Sequence, residues 1–314
     1  METKHDSVLL HEAVDALSVT RDDVVVDGTI GGAGHFSLLM RSLGREGVLV
    51  GIDADGDAIT RARAASGTLD VLPRTVLAHD NFRNLGRILD DATIQQIDKA
   101  LFDLGWSSFH LSSGRGFSFQ TSEPLYMTYG EPVGVETAAD IVNTAPEETL
   151  ADIFYTYGEE RFSRQIAKSI VTIRKRTPLL TTDDLVAAVL AGTPSWYHHK
   201  RIHPATKVFQ ALRIAVNDEL GALREGITTA LHRLSPGGRI AVITFHSIED
   251  RIVKHMFRDA AAEHEGTVVT RKPVVPSAAE LKRNPRARSA KLRVFESAKT
   301  SVPSFSNLRS FMFA

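Results

Sequence analysis

The sequence predicts an α/β protein: a doubly wound, mostly parallel sheet whose chain is interrupted by an inserted all-helical region. Three observations carry this. Short β-rich runs alternate with helical patterns through the first third of the chain. From 105 to about 203 the β-rich runs stop and only helical stretches remain. The run SPGGRIAVITFHS then brings back a turn and an apolar strand. Strand, helix, strand with short links is the signature of parallel pairing with helices on both faces.

Taken in order, VVVD (24–27), VLVGID (48–53), TVLAHD (75–80) and KALFDL (99–104) read as strands buried on both sides, because their apolar residues run on rather than alternate. Between them lie a helix near 34–43, one from Asp55 and one from Asn81. Within the insertion, PEETLADIFYTYG, RFSRQIAKSIVTIR and TTDDLVAAVLAG have helical periodicity, with Pro146 in a first turn and Thr181 with Asp184 as a capping box. The stretch ATKVFQALRIAVNDELGALREGITTALHRL reads as one long helix leading into the last strand. Ser247 with Asp250 fits a second capping box. The segment 261–293 is polar, basic and weakly periodic, so parts of it are expected to order only on binding. The boundaries that follow are 1–107 for the first part of the α/β domain, 108–204 for the helical insertion and 205–314 for the second part.

Composition narrows the function classes. Of 314 residues 43% are apolar, enough for a large core, and none is cysteine. A disulfide framework, a thiolate zinc site and a cysteine nucleophile are thereby excluded. The opening METKHDSVLLHEAV lacks a basic, then apolar, leader, and no run nears the roughly 20 apolar residues that span a bilayer. A cytoplasmic protein without membrane association is expected. Charge is segregated: residues 1–110 hold 10 Lys+Arg against 17 Asp+Glu, whereas 161–213 hold 10 against 2 and 251–293 hold 11 against 4. Such segregation suits a phosphate-rich partner, and equally suits solvated helix faces.

The stretch DGTIGGAGHF (27–36) follows the first strand. Gly28, Gly31, Gly32 and Gly34 permit a tight turn, and the helix after them points free N–H groups outward, which favours a ligand bearing a carboxylate, phosphate or hydroxyl. Asp53, at the end of the next strand, stands where an acid accepts from ribose hydroxyls. Both features admit a dinucleotide. Asp27 disfavours a pyrophosphate and suits a ligand with an ammonium end, such as S-adenosylmethionine. Ligands of open parallel sheets bind at the carboxyl ends of strands, so Asp53, Asp80, Phe82 and Asp103 are expected around one crevice. Phe82 either stacks on a purine or packs in the core.

The ordered motifs HDSVLLHE, DGTIGGAGH, GIDAD, DLGWSS, GRGFSF, YGEERFSRQIAKSIV, HPATKVFQALRIAVNDEL, SPGGRIAVITFHSIEDRIVK and NPRARSAKLR resemble the bacterial 16S ribosomal RNA cytosine-N4 methyltransferases, the MraW or RsmH family. The likeness spans about residues 5 to 296. It implies a class I methyltransferase fold with an inserted helical domain, S-adenosylmethionine as donor, and as acceptor a cytosine amine in the decoding centre of the small ribosomal subunit. The donor contacts it implies fall on Gly32, Ala33, Gly34, His35, Asp53, Phe82 and Asp103, with His110 where the family usually carries glutamine. Two further departures are Tyr126 and Thr128, in place of the acid and arginine of a DMRM motif, and Ser7 in place of a proline.

The N4 amine of cytosine is a weak nucleophile because its lone pair is delocalised into the ring. Transfer from a sulfonium therefore depends on in-line positioning, which lowers such barriers by roughly 7–11 kcal/mol. Candidate hydrogen-bond acceptors for the amine are Asp103, the carbonyls of Leu104 and Gly105, and the hydroxyls of Ser107 and Ser108, with donor binding the favoured role of Asp103. DLGW lacks the prolines of the Asp/Asn-Pro-Pro-aromatic run of other amino-methyltransferases, so no general base follows from the motif. Trp106 either stacks on the target base or packs beneath its loop; Tyr126 is a second candidate for stacking and His246 a third substrate-side residue. A target base has to be unstacked or single-stranded. Phosphate contacts are expected from Arg174, Lys175 and Arg176 in the insertion and from Arg286, Arg288 and Lys291 in the tail. His198, His199 and His203 read as a solvated or RNA-facing loop rather than a metal site, and the chemistry calls for no metal. Two other classes stay open: a ribosome-assembly RNA-binding protein that keeps the donor pocket without transfer, and a dinucleotide oxidoreductase.

Overall fold

The computed structural model describes residues 7–67, 73–104, 113–130 and 132–298. Its first third is α1 (Leu10–Leu17), β1 (Val24–Asp27), α2 (Gly34–Ser42), β2 (Val48–Asp53), α3 (Gly56–Ser66), β3 (Arg74–His79), a 3-10 turn at Phe82–Asn84, α4 (Leu85–Asp91) and β4 (Ile97–Asp103). The helical region follows as α5 (Ala138–Thr144), α6 (Glu147–Thr156), α7 (Ser163–Arg174), α8 (Thr182–Ala191), α9 (Ser195–His198) and α10 (Ala205–Asn217). Then come α11 (Glu219–Arg233), β5 (Leu234–Thr244), α12 (Ser247–Ala262), β6 (Gly266–Val268), α13 (Ala278–Arg283), a 3-10 turn at Pro285–Ser289 and β7 (Lys291–Ser297).

Seven strands form one sheet in the order β3-β2-β1-β4-β5-β7-β6. Pairing is parallel from β3 through β5, and β7 runs antiparallel to both β5 and β6. The chain leaves β1 outward through β2 and β3, then returns to β4 on the other side of β1. That reversal makes a switch point between β1 and β4, where the carboxyl ends of the strands open a crevice. Each face of the sheet is covered. Leu17 of α1, Phe36 and Leu39 of α2 and Ile59 of α3 pack on one side; Ile88 and Leu89 of α4, Ile227 of α11 and Phe257 of α12 pack on the other. A third apolar cluster belongs to the helical region and includes Leu125, Phe154, Ile166, Ile170 and Leu185.

Local rules place most of these elements. Asp55 caps α3 by accepting from Asp57 N–H, and Thr181 with Asp184 forms the expected capping box of α8. Thr137 with Asp140 forms another at α5. Pro146 stands as the residue just before α6.

Four expectations are corrected. The stretch 205–234 is two helices with Leu234 opening β5, because Asp218 takes a left-handed conformation (φ 44°) between α10 and α11. Tertiary bonds hold the break: Asn217 donates to Met127 O (2.8 Å) and accepts from Tyr129 N–H (3.0 Å), while Arg213 and Glu219 pair across it. Helix α10 supplies Val208, Phe209 and Leu212 to the helical cluster, so the insertion's core extends past 204. The cap of α12 is His246 with Glu249 rather than Ser247 with Asp250. Ser247 Oγ donates to Glu159, and Asp250 accepts from Arg293 and Lys291. Finally, the basic tail is built into the fold: β7 lies between β5 and β6, and Ala287, Ala290, Leu292 and Val294 are buried in the core.

Candidate active site

A cavity of about 760 Å³ opens at the switch point. Its floor is Gly28–Gly32, His35, Asp53, Ala54, Asn81, Phe82, Asp103 and Leu104, and its far wall comes from the helical region and from α11 and α12. The volume lies in the range of small-ligand pockets, and the position is where open parallel sheets bind ligands.

The glycine loop is fastened from beneath. Gly28 N–H donates to Leu101 O (2.9 Å), Ile30 N–H to Ile52 O (3.2 Å), and Gly31 N–H to Asp53 Oδ2 (2.8 Å). Gly31 has φ 51°, a value suited to glycine. Two glycines answer to protein neighbours instead of a ligand. A Cβ on Gly28 would lie 2.5 Å from the Phe102 ring, and one on Gly34 would lie 2.0 Å from Ser7 Oγ. Gly32 and His35 line the cavity, whereas Ala33, in the left-handed region as the cap of α2, and Gly34 stand behind its surface.

Three carboxylates end the central strands in different ways. Asp27 is fully buried beneath the loop and does not line the cavity, contrary to the expectation that it meets a ligand's ammonium. Its Oδ1 accepts from Thr29 N–H (3.1 Å) and its Oδ2 has no partner among the described residues. Burial pushes its pKa up to about 7, partly opposed by the Thr29 bond. Asp53 reaches the cavity while accepting from both Gly31 and Asp55 N–H groups; burial raises its pKa against these bonds. Asp103 also lines the cavity, with Oδ2 3.6 Å from His35 Nδ1 and its own N–H donating to Thr29 Oγ1 (2.6 Å). Asp80 does not line the crevice: it accepts from Asn81 N–H and Asn84 Nδ2 and pairs with Arg87, while Asn81 caps the following turn by accepting from Arg83 N–H. Phe82 packs in the core, its ring meeting Phe102 edge-on at 5.5 Å, and also lines the cavity.

The opposite wall is a hydrogen-bonded polar network. Arg213 holds both carboxylate oxygens of Glu219 (2.8 and 2.9 Å), and Tyr129 O–H donates to Glu219 Oε1 (2.7 Å). Burial, then the charge of Glu219, holds the Tyr129 hydroxyl well above its usual pKa, so it stays a donor. His246 lines the cavity; its Nδ1 accepts from Glu249 N–H (3.3 Å) and its Nε2 lies 3.1 Å from Glu249 Oε1. Glu249 Oε2 accepts from Phe245 N–H (2.8 Å). Glu219, His246 and Glu249 bring ligand-type atoms within 4.8 Å of one another, but Arg213 spans both oxygens of Glu219 and already balances its charge.

Trp106, Ser107, Ser108 and His110, with Gly105, lie outside the described residues. Tyr126 is partly exposed and does not line the cavity, while its neighbours Met127 and Tyr129 do. Thr128 is buried and donates to Gly130 O (2.8 Å), also off the cavity wall. Arg286 stands at the cavity with Arg283; Arg288 is exposed elsewhere, and Lys291 is paired with Asp250 (2.9 Å). Arg174 donates to Val142 O, inside the helical region. His203 stacks on Phe119 and His198 meets Thr193 Oγ1; burial, then the charge of His198, lowers the pKa of His203. Sequence reasoning missed Tyr129, Arg213, Asn217, Glu219 and Glu249. A charged pair separated by six residues across a predicted helix, Arg213 with Glu219, was the available signal, since that spacing puts them on different faces of a continuous helix.

The strand order, the lone antiparallel β7 and a glycine-floored cavity at the switch point are the layout of the class I methyltransferase fold, and the family to which the chain belongs makes it an S-adenosylmethionine-dependent methyltransferase. Residues 2–298 match the model of the MraW methylase family, and the chain belongs to that family. It is 47% identical over 295 residues to the ribosomal RNA small subunit methyltransferase H of Deinococcus radiodurans, covering 94% of this chain and 90% of that one. The protein of the same name from Magnetococcus marinus is 43% identical over 313 residues, covering 94% and 98%. A solved rRNA methylase from Streptococcus thermophilus aligns at 14% identity with a TM-score of 0.43, covering 93% of this chain and 98% of that one.

Proposed function

We propose that this protein transfers a methyl group from S-adenosylmethionine to the exocyclic N4 amine of a cytosine in the decoding centre of 16S rRNA. The observation that carries the reading is one continuous cavity with two unlike ends: a glycine-loop floor with Asp53 and Asp103, and a polar wall of Tyr129, Arg213 and Asn217 from the helical side. The relatives' names add the substrate class, small-subunit ribosomal RNA.

The residues present fit the donor. Backbone N–H groups at the start of α2, beside Gly32, suit its carboxylate. Asp103, next to His35, suits the ammonium, Asp53 the ribose hydroxyls, and Phe82 the adenine. The donor supplies an electrophilic methyl carbon on a sulfonium. The protein's part is to hold the acceptor amine in line with that carbon and to exclude water. Leu104 lines the cavity after Asp103, and its carbonyl or the Asp103 carboxylate accepts an amine hydrogen in this reading. Tyr129 O–H and the Arg213–Glu219 pair form a fixed wall for the ring's polar edge. Ser107, Ser108, Trp106 and His110 complete the proposed set from the adjoining segment. Arg283 and Arg286, exposed side chains that also line the cavity, are the proposed contacts for the phosphates that flank the target.

The test is transfer of an isotopically labelled methyl to purified small subunits, followed by nuclease digestion and mass spectrometry of the nucleosides. Labelled N4-methylcytidine is expected. Label on another atom, or none, overturns the reading.

A further inference from the structure

On the outer side of the helical region, Trp196 is half exposed, an unusual state for so large an apolar ring. It is held upright there. Its ring meets Phe162 at 5.8 Å and Tyr197 at 5.7 Å, both edge-on, and Phe162 and Tyr197 meet each other at 4.9 Å. The Arg161 guanidinium lies 5.4 Å from the Trp196 centroid and the Lys200 ammonium 5.3 Å. Buried Glu160 fastens the two halves of the cluster, accepting from Phe162 N–H (2.9 Å) and Tyr197 O–H (2.8 Å). The segment around it is basic: residues 195–207 contain Lys200, Arg201, Lys207 and three histidines, and no acid.

We propose that Trp196 and its flanking cations form a stacking platform for an unpaired RNA base, outside the cavity that holds the methylated one. This rests on the reading of RNA as substrate. A half-exposed aromatic ring beside two cations suits an unpaired base and the phosphates on either side; a paired base offers no free face. Core packing alone does not explain the arrangement, since burying Trp196 would stabilise the fold more than exposing it. The platform is also tied to the cavity. Glu159, two residues before Arg161, binds Ser247 Oγ (2.7 Å) and Arg251 (2.8 Å), and Ser247 adjoins His246 in the cavity wall. Two residues of chain span at most about 7 Å, so the backbone that carries Arg161 is anchored close to the residue that follows His246.

The experiment compares wild type with Trp196→Ala, Trp196→Phe and the double variant Arg161→Glu/Lys200→Glu. Readouts are KM and kcat for methyl transfer to small subunits, affinity for protein-free small-subunit RNA, affinity for the donor, and the thermal midpoint. The expected result is a KM raised roughly tenfold or more in Trp196→Ala, largely restored in Trp196→Phe, with kcat and donor affinity unchanged. The charge-reversed double variant loses RNA affinity and salt dependence with its rings intact. An unchanged KM in both Trp196→Ala and the double variant overturns the platform. A loss on subunits without a loss on free RNA also overturns it, and assigns the patch to a ribosomal protein. If Trp196→Ala proves unfolded, the double variant decides. Wild-type protein that methylates no RNA defeats the functional reading itself, whereas active wild type with indifferent variants defeats only the platform.

Discussion

Asp27 sits at the end of β1 with one carboxylate oxygen unpartnered among the described residues, and its pKa is raised from 3.8 to about 7 by burial. A raised folded pKa means the folded protein binds this proton more tightly than the unfolded chain. Its contribution to stability is fully present below about pH 4 and is lost as pH rises through about 7. Asp27→Asn keeps an acceptor for Thr29 and puts an uncharged group where the orphan oxygen lies. Urea unfolding at pH 5 and pH 8 is expected to show the variant gaining on wild type by a few kcal/mol, as an order of magnitude, at the higher pH. A constant difference would remove Asp27 as the titrating group. Asp53 makes a second case. Because it accepts from the Gly31 and Asp55 N–H groups, Asp53→Ala loses both the proposed ribose contact and the fastening of the loop. Calorimetry is expected to show S-adenosylmethionine affinity reduced at least tenfold, with about 1–3 kcal/mol lost in unfolding. Wild-type affinity would count against the ribose role.

Elements differ in how far their own sequence fixes them. The α8 capping box is local: Thr181 Oγ1 accepts from Asp184 N–H and the Asp184 carboxylate reaches back to Thr181. Thr181→Ala is expected to cost about 1 kcal/mol, seen in chemical denaturation, and to leave donor affinity untouched because α8 does not line the cavity. The turn between α10 and α11 is of the other kind. Asn217 and Asp218 are the residue types that best tolerate a left-handed backbone, yet the apolar period runs through them, so the sequence reads as one helix. Bonds to Met127 and Tyr129, about ninety positions upstream, decide the break. The shift of the α12 cap by one residue has a similar cause, since Ser247 and Asp250 are engaged by Glu159, Arg293 and Lys291.

For the whole molecule, the basic side chains divide into those bound within the fold and those left at the cavity. Lys291 and Arg293 pair with Asp250, whereas Arg283 and Arg286 stand at the rim. On the RNA reading, Arg286→Glu weakens RNA binding and lowers the slope of log affinity against log salt by about 1. Arg288→Glu, off the cavity, is expected to do less; filter binding across a salt series measures both. Equal slopes in all three proteins would take the rim out of the interface. Charge counts along the chain showed that the second half is basic but not which groups are paired, because pairing depends on contacts between residues far apart in the chain.

The sequence by itself determined the first four strands, the glycine loop, the helical insertion and the family, since these rest on short-range rules: apolar runs for buried strands, caps for helices, glycine where the backbone turns back. It also brought Asp53, Phe82 and Asp103 to one crevice, because parallel strands present their carboxyl ends along one edge of the sheet, where β2 and β4 run two residues past the Asp27 register of β1. Only the tertiary structure separated Asp27 and Asp80 from that crevice, split the long helix at Asp218, and joined Tyr129, Arg213, Glu219 and Glu249 into the facing wall. Those outcomes depend on which polar group finds a partner once water is excluded, and the partners lie too far apart in the chain for local pattern to couple them.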